Sequence, residues 1–83
     1  MLRKNVTKGV RRPLAVHIGE QLLKQREKQH MTMEVVAKKA GLHFSMVCRI
    51  ENGESMPRAD TLWKLNQCFG VTAGYWFRGF KGE

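Results

Sequence analysis

The feature that most constrains this chain is a junction with almost no loop in it. From Met33 to Ala40 the residues Val36, Ala37 and Ala40 recur at helical spacing, and from Phe44 to Glu51 Val47 and Ile50 do the same. Thr32 is a good N-cap for the first segment, and Gly41 stands where a helix end accepts a left-handed residue. Two short helices joined through a single glycine must cross steeply, which is the geometry of a helix-turn-helix. The second helix is then the probe. With Val47 and Ile50 turned to the core, Phe44, Ser45, Cys48 and Arg49 point outward, a face with one fork-shaped cation and no acid.

Helical spacing continues on both sides of this unit. A first helix is expected from Leu14 to Gln29, with Ile18 and Leu22 inward, stopping near His30. Asn52-Gly53 closes the probe helix, and Pro57 is expected to start a fourth carrying Leu62, Leu65 and Phe69 and ending at Gly70. Thr72 would cap a last short helix holding Tyr75, Trp76 and Phe77. The period-two alternation of a strand is not sustained anywhere, so the expected class is all-α. The expected organisation is a basic arm over 1–13, a helix-turn-helix domain over 14–78 and a short tail over 79–83.

From 83 residues a single small domain is expected, without a separate sensor or catalytic domain. The 15 Lys and Arg against 7 Asp and Glu give a net charge of +8, which points to a polyanionic partner. Arg3, Lys4, Lys8, Arg11 and Arg12 crowd into the start of the chain, where no acid occurs, and read as a flexible basic arm. A hydrophobic content of 42% sets the chain apart from a disordered basic tail. The longest uncharged run, Leu65 to Phe77, is too short for the roughly 18 apolar residues of a membrane span. The first residues also lack the apolar stretch of a secretion signal, so a cytoplasmic, nucleoid-associated location is expected.

Cys48 and Cys68 fit neither a disulfide framework nor a metal pattern and read as reduced thiols. His17, His30 and His43 have no metal spacing, and Met31, Met33 and Met46 suit gaps between helices. Nucleophile, paired carboxylates, phosphate-cradling glycine loop and metal set are all missing from the sequence pattern. Neither an enzyme nor a cofactor is expected.

The stretch TMEVVAKKAGLHFSMVCRIENG, followed by Pro57 and by Leu62 through Val71, is similar to the helix-turn-helix domain of the phage-repressor and Cro family, also called the xenobiotic-response-element family. The likeness covers residues 18–77 and includes Arg26, Ala37, Gly41 and the IENG of residues 50–53. It implies a five-helix, lambda-repressor-like bundle whose third helix enters the DNA major groove, with Phe44, Ser45 and Arg49 on base edges. The physics agrees for Arg49, because a guanidinium bonds guanine O6 and N7 together. Phosphate contacts are implied at Thr32, Met33, Met46 and Asn52, with His43 and Arg58 as further backbone candidates. An ion pair of Arg26 with Glu51 is implied as the link between the first and third helices. The sequence departs from the family where Gln usually follows the helix 2 cap, here Met33, and where Ser or Thr usually precedes helix 3, here His43.

The leading expectation is a transcriptional repressor that binds a two-fold symmetric DNA operator as a homodimer, with Tyr75, Phe77 and Phe80 as interface candidates. The alternative is the antitoxin of a toxin and antitoxin pair, its aromatic C-terminus gripping the toxin. RNA binding through the arm is weaker, since no stacking platform is visible.

Overall fold

A computed structural model describes residues 12–82. Arg3, Lys4, Lys8 and Arg11 of the expected arm lie outside the described residues. Four α-helices follow one another among the described residues: α1 (Pro13–Lys28), α2 (Met33–Ala40), α3 (Phe44–Glu51) and α4 (Ala59–Phe69). A 3-10 turn (Ala73–Phe77) completes the order, and no described residue is in a strand. The expected fifth α-helix is this turn, and Thr72 at its start makes no side-chain cap bond. At five residues the segment is too short to nucleate an α-helix, and tight 3-10 geometry serves it better.

Pro13, assigned to the arm from sequence, is the first residue of α1. Its fixed φ suits that position and its missing N–H costs nothing there. Helices α1, α2 and α3 then end in the same pair of backbone bonds, a Schellman motif, while after α4 the Gly70 and Val71 N–H groups both bond Asn66 O. After α2 the Leu42 N–H bonds the Ala37 carbonyl at 2.9 Å and the Gly41 N–H bonds that of Lys38 at 3.3 Å. Gly41 sits at φ 72°, a conformation that L side chains adopt only with strain. After α1 the left-handed position is held by His30 at φ 58°, with Met31 N–H bonded to Arg26 O at 2.9 Å.

Helix α4 starts two residues later than Pro57 suggests. Arg58 has extended dihedrals, so the helix cannot begin before Ala59, and buried Pro57 is a plug rather than a helix start. Asp60 Oδ1 accepts from the Thr61 N–H at 2.9 Å, satisfying a first-turn donor. The buried stripe of α4 is Thr61, Leu65 and Phe69, while Leu62 packs at its margin.

The core is one cluster in which Ile18 and Leu22 of α1 meet Val36 and Ala37 of α2, Val47 and Ile50 of α3, and Leu65 and Phe69 of α4. Trp76 closes it: the indole is fully buried and edge-on to Phe69 and Tyr75 at 6.2 and 5.1 Å. Its Nε1–H donates to Asn66 Oδ1, which avoids the roughly 1–3 kcal/mol that an unpaired buried donor costs. The aromatic surplus read from the C-terminus is therefore smaller than expected. Half-buried Tyr75 donates its hydroxyl weakly to Gln21 O at 3.5 Å, and Phe80 tilts against His17 at 5.4 Å. His17 Nε2 lies 2.8 Å from Arg78 O and so ties the tail to α1. Of the three interface candidates only Phe77 is exposed.

Candidate nucleic-acid interface

Two contacts along one face of α1 hold α3. At the first, Gly19 lets the two backbones meet: a Cβ there would stand 2.4 Å from Ile50 O and 2.7 Å from Glu51 O. Two turns further on, Arg26 Nε donates to Glu51 Oε2 at 2.7 Å and Nη2 to Oε1 at 2.9 Å, a bidentate fork. Its Nη1 donates to Met31 O at 3.0 Å, so one guanidinium joins α1, the following turn and the end of α3. The hydrogen bonds to Glu51 raise the Arg26 pKa above its ordinary value, against the lowering effect of burial. The side chains are 17% and 10% exposed, shielded enough for the pair to matter and not so deep that desolvation cancels it.

Held this way, α3 buries Val47 and Ile50 and leaves Phe44, Ser45 and Arg49 exposed on its far side, with Cys48 half-buried beside them. Phe44 is 46% exposed, unusual for an aromatic that could have joined the core. Among the described residues no carboxylate pairs with Arg49, so its five donors are not committed within the fold. His43 precedes α3 without capping it, and the Phe44 and Ser45 amides lie before the first intrahelical bonds, which give that end a partial positive charge.

The expected phosphate contacts fall into two groups. Thr32, Asn52 and Arg58 are exposed, although the Thr32 hydroxyl already accepts from Val35 N–H at 3.1 Å. Arg58 stands 3.6 Å from Asp60 on an open surface, a pair too solvated to hold it. Met33 and Met46 instead lean on the core. Thioethers there fill gaps, and because the Met46 N–H already donates to His43 O at 3.0 Å, only the Met33 main chain is left able to meet a phosphate. Glu34 in the first turn of α2 adds a negative charge at that helix start that the sequence reading passed over.

Burial pushes the Cys68 thiol up, which makes its thiolate scarce. Among the described residues no three His, Cys, Asp or Glu side chains gather at a metal distance, and no helix is long and apolar enough to cross a membrane.

The sequence reading missed Gly19, Gln25 and Asn66, whose partners lie far along the chain, and Trp63, which is 61% exposed on α4. Only Trp63 had a local signal: it falls off the stripe formed by Leu65 and Phe69.

Residues 22–76 match the model of the helix-turn-helix family HTH_3. The chain belongs to this family. It is 29% identical over 79 residues to the HTH-type transcriptional regulator y4wC of Sinorhizobium fredii, covering 93% of the chain and 55% of that protein. Its fold superposes with a TM-score of 0.75 on the crystal structure of an HTH_3 family transcriptional regulator from Vibrio cholerae. That likeness has 27% identity and spans 81% of this chain and 38% of the other. The chain thus spans about half the length of the curated relative it matches.

Proposed function

We propose that this HTH_3 chain is a DNA-binding transcriptional regulator, a repressor acting as a homodimer on a two-fold symmetric operator, with α3 in the major groove. The observation that carries the reading is the outer face of α3, where Phe44, Ser45 and Arg49 are exposed and Arg49 is uncommitted on a helix braced by the Arg26–Glu51 fork. Phe44 would pack on a thymine methyl and Ser45 would bond a base edge. Thr32, His43, Asn52 and Arg58, with the amide of Met33, would touch phosphates and set the register. Relatives named as transcriptional regulators favour this reading over an antitoxin. Exposed Phe77 is the contact offered to a second copy.

Selection of duplexes from a random pool tests the reading: half-sites about 10 base pairs apart, or a small multiple of that, are expected. Within the selected site Arg49→Ala is expected to lose roughly 1–3 kcal/mol per half-site, relaxing choice at one base position, while Arg58→Ala weakens all sequences about equally. If Arg49→Ala weakens random DNA as much as the selected site, α3 is not oriented as proposed.

Removing residues 1–11 leaves Arg12, whose carbonyl accepts from the Val16 N–H at 3.0 Å, and takes away Arg3, Lys4, Lys8 and Arg11. The slope of log K against log salt should flatten by up to about 3.5 per subunit, with the preferred sequence unchanged. An unaltered slope in the shortened protein would reduce the arm to a solubilising tail.

A further inference from the structure

Helix α1 carries a second polar face that the DNA reading does not use. Arg26 turns toward Glu51 of α3. Lys24 and Lys28 lie two residues to either side of it, about 160° around a helix of 3.6 residues per turn, and so face away from α3. There they border a groove of about 540 Å³ between α1 and the end of the 3-10 turn, with Tyr75 and Arg78 on its other wall. Arg78 is held over the Tyr75 ring, 5.7 Å from its centroid. None of these three cations forms an ion pair among the described residues, and no acid lines the groove.

The lining also includes Gln25, only 5% exposed. Its Oε1 accepts from Gln29 Nε2 at 2.8 Å, and that same nitrogen donates to Phe69 O at 3.2 Å. Gln29 therefore fixes which way the Gln25 amide is turned: the oxygen is taken and the NH2 has no acceptor among the described residues. A buried amide donor left without a partner is rare, and this one belongs to a residue lining a groove with three cations and no acid.

We propose that this groove is an anion site for a small diphosphate-bearing molecule, with the Gln25 NH2 at its floor and Lys24, Lys28 and Arg78 around its rim. Three positive charges on the two walls of the groove exceed what one carboxylate or one phosphate monoester would neutralise. Arg78 brings a planar fork suited to phosphate oxygens, and the lysines bring point charges. Because the groove faces away from α3, the ligand and DNA bind together.

The test uses pyrophosphate as the probe, titrated into the isotopically labelled full chain at constant ionic strength without DNA, so that it stands apart from the operator experiment. A saturable single-site shift of the Gln25 side-chain NH2 and the Arg78 Nε–H resonances is expected. Lys24→Gln with Lys28→Gln should weaken it at least about tenfold without changing the melting temperature. Gln25→Glu, which sets a carboxylate at the floor, should abolish it, and the lysine variants decide the matter if that protein does not fold. Shifts that never saturate, or that spread equally over Phe44, Arg49 and the start of α2, overturn the proposal, leaving general attraction to a basic protein. So does displacement of pyrophosphate by the selected duplex, which makes the groove part of the DNA path, or binding of an acidic peptide alone.

Discussion

Gly19→Ala is expected to lower the melting temperature by about 10 °C or more and to weaken DNA binding with it. On an isolated helix the change would stabilise, since alanine gains roughly 1 kcal/mol over glycine in a helix interior. Here the new methyl would lie 2.4 Å from Ile50 O and 2.7 Å from Glu51 O, both backbone atoms that cannot swing aside. Overpacking of this kind costs about 1–3 kcal/mol, and more where the neighbour is rigid, so the clash outweighs the propensity gain. A net loss near 2 kcal/mol corresponds to about 8–16 °C in a domain of this size. Relief requires α1 and α3 to move apart, which shifts Phe44, Ser45 and Arg49 as a unit. Gly74→Ala is the control, because a Cβ at Gly74 has nothing within 4 Å. A thermal melt followed by circular dichroism decides: if Gly19→Ala melts higher than the parent, propensity has won and the close crossing is not rigid.

Breaking the Arg26–Glu51 fork should have an effect of similar size by a different mechanism. Glu51→Gln keeps the shape but leaves the guanidinium, 17% exposed, facing a neutral amide. Loss of one partner of a fully buried pair costs about 3–5 kcal/mol, and partial exposure here brings the expectation to about 2–3 kcal/mol in urea unfolding. Arg26→Ala should cost as much or more, since it also frees the Met31 carbonyl from its 3.0 Å bond and unties the turn leading into α2. Replacing both residues by apolar ones of similar volume should recover much of the loss, because the penalty lies in the orphaned charge rather than in the absence of the pair. Salt to about 0.5 M should leave the difference nearly intact, as a partly buried pair is weakly screened. A Glu51→Gln protein with the urea midpoint of the parent would show that the fork is ornamental to stability.

Local chemistry explains why so much of the helix-turn-helix could be read from residues alone. Thr32 bonds an amide three residues away, and Gly41 and Gly70 end their helices through bonds spanning at most five residues. Val36, Ala37, Val47 and Ile50 announce their buried faces by spacing. Such signals are complete within one or two turns of chain. Where the local signal was ambiguous the reading slipped: Pro57 suits a helix start but lies before one, and Tyr75 and Phe80 looked like surplus apolar surface until α1 was seen to cover part of them.

The remaining features depend on residues that only the fold brings together. Gly19 meets carbonyls more than thirty positions away, the Gln25 and Gln29 amides end on Phe69 O, and the cationic groove exists only because the 3-10 turn lies along α1. Sequence alone determined the four α-helices, where their C-terminal ends fall and which residues of α3 turn away from the core, because periodicity and glycine caps act over a few residues. Tertiary structure decided how closely α1 approaches α3, which aromatics stay exposed and where Gln25 faces, because packing between distant segments leaves no periodic trace in either one.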